Sequence, residues 1–237
     1  MMKEEKVNSD FRDAVSHTQR VVELTADGSS TLFVPALEEH YHSVKGALTE
    51  SQHIFINMGL SYSKEESPRI LEIGFGTGLN AYLTLLESQN KHQKIYYCGI
   101  ELYPLSWETI CRLNYSTDPL LKTLHSSDWG REVEITPNFI LQKEQKDFTS
   151  PSFSLSAFTT DCFDVIYFDA FSPDKQPEMW NTQLFEHLYV SMNKGAILVT
   201  YCAKGEVRRM LQSVGFVVER LPGPPGGKRE ILRATKL

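Results

Sequence analysis

The chain has 237 residues, 41% of them apolar, which is enough to bury one substantial core with a small appended subdomain. Its net charge of -6 weighs against a nucleic-acid partner for the chain as a whole, and no run approaches the roughly 18 apolar residues of a membrane-crossing helix, so no membrane partner is expected. The four cysteines, Cys98, Cys111, Cys162 and Cys202, form no C-x-x-C pair, which argues against a disulfide framework or a zinc site and for a reducing cytoplasm.

The opening Met1-Met2-Lys3-Glu4-Glu5-Lys6 is charged with no apolar segment behind it, so no secretory signal is expected. Arg20 to Leu24 and Thr31 to Val34 flank Ala26-Asp27-Gly28-Ser29-Ser30, an Asp-Gly turn between alternating segments that predicts a β-hairpin. The stretch from Glu38 to Ser51 is too polar for a core and leads into a helix that Thr49, with Gln52 three residues on, is placed to cap. Residues 1–66 are expected to form a hairpin cap subdomain and residues 67–237 the main domain.

From residue 69 onward short apolar runs alternate with helical stretches, the pattern of an α/β, Rossmann-like fold with a mostly parallel sheet covered on both faces. Strands are predicted at Ile70 to Ile73, Ile95 to Ile100, Phe139 to Gln142, Phe163 to Phe168, Ala196 to Tyr201, Phe216 to Glu219 and Ile231 to Ala234. Seven strands is the number that a class I methyltransferase sheet uses. Helices are predicted at Leu79 to Glu87, Leu105 to Asn114, Glu178 to Met192 and Gly205 to Val214.

The first strand of this unit runs into Glu72-Ile73-Gly74-Phe75-Gly76-Thr77-Gly78-Leu79-Asn80, with three glycines spaced two apart. Glycines at a strand-to-helix turn permit a tight bend and close backbone approach to a ligand. The spacing is G-x-G-x-G, not the dinucleotide G-x-G-x-x-G. Glu72 would repel a pyrophosphate but suits the ammonium and sulfonium of S-adenosylmethionine, which is therefore the expected cofactor. Glu101 ends the second strand about 20 residues on, the position of an acid that binds ribose hydroxyls. Asp147, just after the third strand and close to Glu144, is placed to accept from the adenine amino group.

Phe163 to Phe168 is an apolar strand followed by Asp169-Ala170-Phe171-Ser172-Pro173. Ligands of open α/β sheets bind outside the carboxyl ends of strands near the switch in strand order, which places Asp169 against the methyl donor. Asp-Ala-Phe-Ser-Pro loosely resembles the Asp/Asn-Pro-Pro-aromatic of amine methyltransferases. A primary alkylamine has a pKa near roughly 10.4, so a nearby sulfonium that lowers it and a carboxylate that accepts a hydrogen bond from the amine and orients its lone pair would both promote attack. Phe171 and Trp180 are candidates to stack on a base, with core packing the plainer role for Trp180; Tyr41, Phe75 and Tyr201 carry the same ambiguity. His40, His42 and His53 lack metal-ligand geometry, and no metal is expected. Residues 204–237 hold eight Lys/Arg against three acids, a net +5 against -11 for the remainder, so a basic surface is concentrated at the end of the chain.

These motifs together resemble the methyltransferase family that completes 5-methylaminomethyl-2-thiouridine at the wobble position of certain tRNAs. The resemblance runs from about Thr25 onward: Leu71 to Asn80; Asp169 to Pro173 with Lys175, Pro177 and Met179-Trp180; Gly226-Gly227-Lys228-Arg229-Glu230; and Tyr41-His42-Ser43 with Gly46 and Glu50-Ser51. It implies methyl transfer from S-adenosylmethionine to the amine of 5-aminomethyl-2-thiouridine, with Asp169, Phe171 and Pro173 in the amine site. It further implies contact with the tRNA anticodon region through Tyr41, Trp180, Lys175, Arg208, Lys228 and Arg229. Members occur alone or fused to an FAD-dependent domain; no such domain and no flavin is expected here. Two rivals remain open: a methyltransferase or aminopropyltransferase acting on a small amine, and a non-catalytic module that binds S-adenosylmethionine.

Overall fold

The computed structural model describes residues 20–157, 159 and 161–237; the charged segment from Met1 to Lys6 lies outside the described residues. The predicted hairpin is present as β1 (Val21–Leu24) and β2 (Ser30–Val34), extended by the two-residue β3 (Glu39–His40) into a small antiparallel sheet. A short helix α1 (Ala47–Ser51) continues into a wider π-type stretch, Gln52–Asn57. Then follow β4 (Arg69–Ile73), α2 (Leu79–Lys91), β5 (Ile95–Glu101), α3 (Trp107–Leu113), α4 (Pro119–Ser126), β6 (Glu132–Thr136) and β7 (Phe139–Gln145). The rest is β8 (Phe163–Phe168), α5 (Thr182–Val190), β9 (Met192–Thr200), α6 (Gly205–Val214), β10 (Val217–Pro222) and β11 (Glu230–Thr235).

Among the described residues the main sheet has eight strands in the order β10-β11-β9-β8-β4-β5-β7-β6. β4 pairs in parallel with both β5 and β8, so the strand order reverses at β4, and the crevice outside its carboxyl end is the place for a ligand. All seven predicted strands are present, and β6 is the addition. It is an edge strand paired antiparallel to β7, and its sequence EVEIT carries too little apolar character to stand out. β8 is the opposite case: every residue of FDVIYF is buried, as a central strand covered on both faces requires.

Side chains leave each strand alternately to one face and the other. Leu71, Ile73, Ile166 and Phe168 join Phe185 and Leu188 in one core layer, while Ile70, Val165, Tyr97 and Tyr167 join Phe55 and Leu85 in the other. The predicted helix from Glu178 to Met192 is shorter than expected. Pro177–Met179 forms a 3-10 turn, Asn181 caps α5 by accepting from the Leu184 N–H at 3.0 Å, and Met192 already belongs to β9. α4 is an unpredicted helix, though Asp118-Pro119 is a cap followed by proline at the first helical position.

Thr49 does not cap a helix. α1 begins after Gly46, whose φ of 151° is tolerated by glycine, and the Thr49 N–H and hydroxyl donate to Asp27 at 2.9 and 2.7 Å. Asp27 also accepts from the Thr25 hydroxyl at 2.7 Å and from the Ser29 N–H at 3.0 Å, so one carboxylate ties the hairpin turn to α1. Partial burial alone would raise its pKa, but donors from Ser29, Thr25 and Thr49 hold it well below the usual carboxylate range. Asp27→Ala is expected to lower unfolding stability by about 1–2 kcal/mol in urea titration at pH 7. A depressed folded-state pKa stabilises above the unfolded value of about 3.8, so the difference from wild type should shrink as the pH falls below that value.

Candidate active site

At the carboxyl end of β4 the chain turns through Gly74 with φ 90° and Gly76 with φ 48°. A Cβ on Gly74 would lie 2.5 Å from the Asp169 carbonyl oxygen, and one on Gly76 would lie 3.2 Å from the Tyr41 ring. Only glycine lets the backbone pass here. The Asp169 N–H donates to Ile73 O at 2.9 Å, and the Gly74 and Phe75 N–H groups donate to Ile100 O, so the ends of β4, β5 and β8 are locked together. Above them opens a cavity of about 410 Å³, a volume suited to a nucleoside-sized ligand.

The cavity is acidic. Among the described lining residues, Glu39, Glu50, Glu101, Asp147, Asp169 and Glu178 face the cations Lys146 and Lys228, an excess of negative charge that complements ammonium and sulfonium groups. Glu101 accepts from the Gly76 N–H at 2.9 Å and the Tyr103 N–H at 2.7 Å, which orients its carboxylate and leaves a lone pair on each oxygen. Asp147 accepts from the Thr149 N–H at 2.9 Å and hydroxyl at 2.6 Å. Burial raises the Asp169 pKa to about 7; the Glu50 charge adds to the rise, and Asn80 and Lys228 oppose it. A carboxyl poised near neutrality is suited to accepting a proton.

Six of the predicted site residues with side chains of their own line this cavity: Tyr41, Glu101, Asp147, Asp169, Phe171 and Lys228; the backbones of Gly74 and Gly76 complete the set. Others lie elsewhere. Glu72 shares its sheet face with Ile70, is fully buried beside Tyr97, and does not reach the cavity. Burial raises its pKa well above the usual carboxylate range, which disfavours the counter-charge expected of it. The cavity carboxylates hold that position instead. Asn80 acts from below: its Nδ2 donates to Glu72 Oε1 at 2.9 Å and to Asp169 Oδ2 at 2.8 Å. Phe75 is buried against Gly99 and meets His125 and Trp129 edge-on, and Gly78 opens α2 outside the lining.

Trp180 is not a stacking platform. Its indole is buried against Phe168, Phe185 and Tyr201, and Nε1 donates to Phe171 O at 2.7 Å, so it supports the loop after β8 from behind. Pro173 and Lys175 follow that loop outside the lining, Lys175 lying 3.9 Å from Glu38. Arg208, on α6, and Arg229, in the turn before β11, are also outside it. The histidines are dispersed: His40 meets Glu23 at 3.0 Å, His53 meets Pro222 O at 2.9 Å, and His42 meets the Thr77 hydroxyl at 2.7 Å. Burial lowers the His42 pKa to about 4, so it is neutral and joins the hairpin unit to the glycine turn. Among the described residues no group of three or more His, Cys, Asp and Glu side chains is placed to hold a metal ion. Nor is any described helix long and apolar enough to cross a membrane.

Tyr201, a stacking candidate in the sequence, also lines the cavity, as does Glu50, which the sequence marked only as part of the Glu50-Ser51 signature. The signal for Glu50 was the polarity of the run from Glu38 to Ser51, since a carboxylate in a segment that leads into a helix has no reason to be buried unless it is used.

Comparison with known proteins agrees with this geometry. Residues 153–237 match the family described as S-adenosyl-L-methionine-dependent methyltransferase. The fold, the glycine turn and this match define an S-adenosylmethionine-dependent methyltransferase of the α/β, Rossmann-like class. Within that class the chain is similar to MnmC proteins. It is 31% identical over 224 residues to the tRNA 5-methylaminomethyl-2-thiouridine biosynthesis bifunctional protein MnmC of Cupriavidus metallidurans, covering 88% of this chain and 32% of that protein. With the protein of the same name from Magnetococcus marinus it is 29% identical, covering 86% and 32%. The chain thus spans about a third of the length of these relatives. Among solved structures, MnmC2 from Aquifex aeolicus superposes with a TM-score of 0.73 at 24% identity, covering 99% of this chain and 77% of that one. Spermidine synthase from Thermotoga maritima shares the fold at a TM-score of 0.52 and 12% identity, covering 94% and 82%.

Proposed function

We propose that the protein transfers a methyl group from S-adenosylmethionine to the primary amine of 5-aminomethyl-2-thiouridine at the wobble position of tRNA, in the cytoplasm and without metal or flavin. The observation that carries this reading is Asp169, a carboxyl poised near neutrality at the tip of β8, in an acidic cavity over the glycine turn. The names of the relatives supply the substrate.

The donor fits the residues present: the bare backbone of Gly74 and Gly76 admits close approach, Glu101 has lone pairs for two ribose hydroxyls, and Asp147 is the acceptor offered to the adenine amino group. When bound, S-adenosylmethionine supplies an electrophilic methyl group on a cationic sulfur. Asp169 then accepts a proton from the substrate ammonium and holds the freed amine by hydrogen bonding, with Asn80 fixing the carboxylate. Phe171 and Tyr41, edge to face at 5.2 Å, wall the space for the uracil ring, and Phe171 and Ser172, with Pro173 behind them, shape the amine pocket. Lys175, Arg208 and Arg229 lie outside the cavity, where they offer positive charge to RNA phosphates. Residues 1–66 act as the cap and residues 67–237 as the catalytic domain.

Nucleoside analysis of tRNA before and after incubation with protein and donor tests the reading. Conversion of aminomethyl to methylaminomethyl thiouridine is expected. The overall charge of -6 favours the second reading, a small-molecule amine as acceptor, and methylation of a free polyamine with untouched tRNA would establish it instead.

A further inference from the structure

The cavity also holds an ion pair between Glu50 and Lys228 to which the reading above assigns no role in binding the amine. Glu50, on α1, is 7% exposed. Its Oε2 accepts from the Ser43 N–H at 2.9 Å and its Oε1 from Lys228 Nζ at 3.0 Å. Lys228 arrives from the turn between β10 and β11, 178 residues away, and its Nζ lies 4.4 Å from the centroid of the Tyr201 ring. Tyr201 is itself anchored beside the reacting centre, for its hydroxyl donates at 2.8 Å to the carbonyl of Ala170, the residue after Asp169.

The two partners differ in freedom. Glu50 is enclosed and held by backbone, and a carboxylate so placed is costly without a cation. The Lys228 side chain is 41% exposed on a flexible four-carbon stem, so this cation can leave. A carboxylate beside an aromatic face is a general receptor for an ammonium, and at present Lys228 occupies it.

We infer that Glu50 and the Tyr201 ring are the recognition site for the substrate's ammonium, that Lys228 stands in for it in the free protein, and that the entering amine displaces Lys228 outward. This rests on the aminomethyl-uridine reading above and deepens it, since Lys228 then acts as a competitor at the amine site and not as a simple phosphate contact. The exchange is a swap of one cation for another and breaks no covalent bond. Charge is what it selects: a neutral group of the same size cannot displace Lys228.

Two RNA stem-loops test this, one carrying 5-aminomethyluridine and the other 5-hydroxymethyluridine at the wobble position, with binding measured by fluorescence anisotropy in the presence of S-adenosylhomocysteine. Wild type should prefer the amine over the hydroxyl by about tenfold or more. Glu50→Gln keeps an oxygen for the Ser43 N–H and should lose that preference at an unchanged melting temperature. Lys228→Met should enlarge the preference, because the competitor is gone. Full preference in E50Q overturns the inference, as does equal weakening of both RNAs in K228M, which would assign Lys228 to the backbone alone. Wild type that binds neither RNA overturns the wobble-uridine reading and the inference with it.

Discussion

Asp169→Ala is expected to slow methyl transfer about 10²- to 10⁴-fold, with affinity for S-adenosylmethionine held within about threefold. The split follows from geometry. Donor contacts are offered by the glycine turn, Glu101 and Asp147, none of which needs the Asp169 side chain, whereas the amine has no other acceptor placed by Asn80. The pH profile gives a second readout on the same group. Burial, assisted by the Glu50 charge, raises its pKa to about 7, against the opposing pull of Asn80 and Lys228. Below that pH the carboxyl is protonated and cannot accept the amine's proton. The free-enzyme parameter kcat/KM should therefore climb through about pH 7 and level off above it. The substrate amine keeps its proton up to roughly pH 10, well away from this inflection, so Asp169→Asn should abolish the inflection near pH 7. A variant with wild-type kcat would remove Asp169 from the chemistry.

Gly74→Ala should weaken donor binding by about tenfold or more and lower the melting temperature, as read by calorimetric titration and thermal unfolding. Two costs combine at this position. A φ of 90° is unfavourable for any side chain, by about 1–2 kcal/mol, and the new Cβ would sit 2.5 Å from the Asp169 carbonyl oxygen. Because that oxygen belongs to backbone, relief requires the ends of β4 and β8 to part. Gly195→Ala isolates the first cost, since Gly195 has φ 78° with nothing within 4 Å of its Cβ position. It should lose stability yet bind donor normally. Equal donor affinity in the two variants would mean that the turn is not the donor's seat.

The strands that frame the cavity were legible because they are buried on both faces and therefore read as unbroken apolar runs, β8 above all. Their carboxyl ends were legible too, as the acids Glu101 and Asp169 stand where such a run stops. What a run does not disclose is which face an interior residue takes. Glu72 lies one residue from Ile73, which lines the cavity, yet it points into the opposite layer, and only the register of β4 against its neighbours reveals this. Trp180 was ambiguous for the same reason: a large ring near the loop serves equally as platform or prop, and the bond from Nε1 to Phe171 O decides for the prop. Glu50 and Lys228 are separated by most of the chain, so no local pattern could pair them.

Asn80 imposes a rule of interchange on its own position. Both of its amide hydrogens are spent, one on an acid deep in the sheet and one on the acid of the reacting centre, while its Oδ1 is buried without a partner. Aspartate would match the outline but set lone pair against lone pair. Leucine would fill the volume and leave two oxygens stranded, and serine could satisfy one neighbour at most. Among residues of this size, a planar amide alone serves both, so the position is constrained although its side chain does not line the cavity.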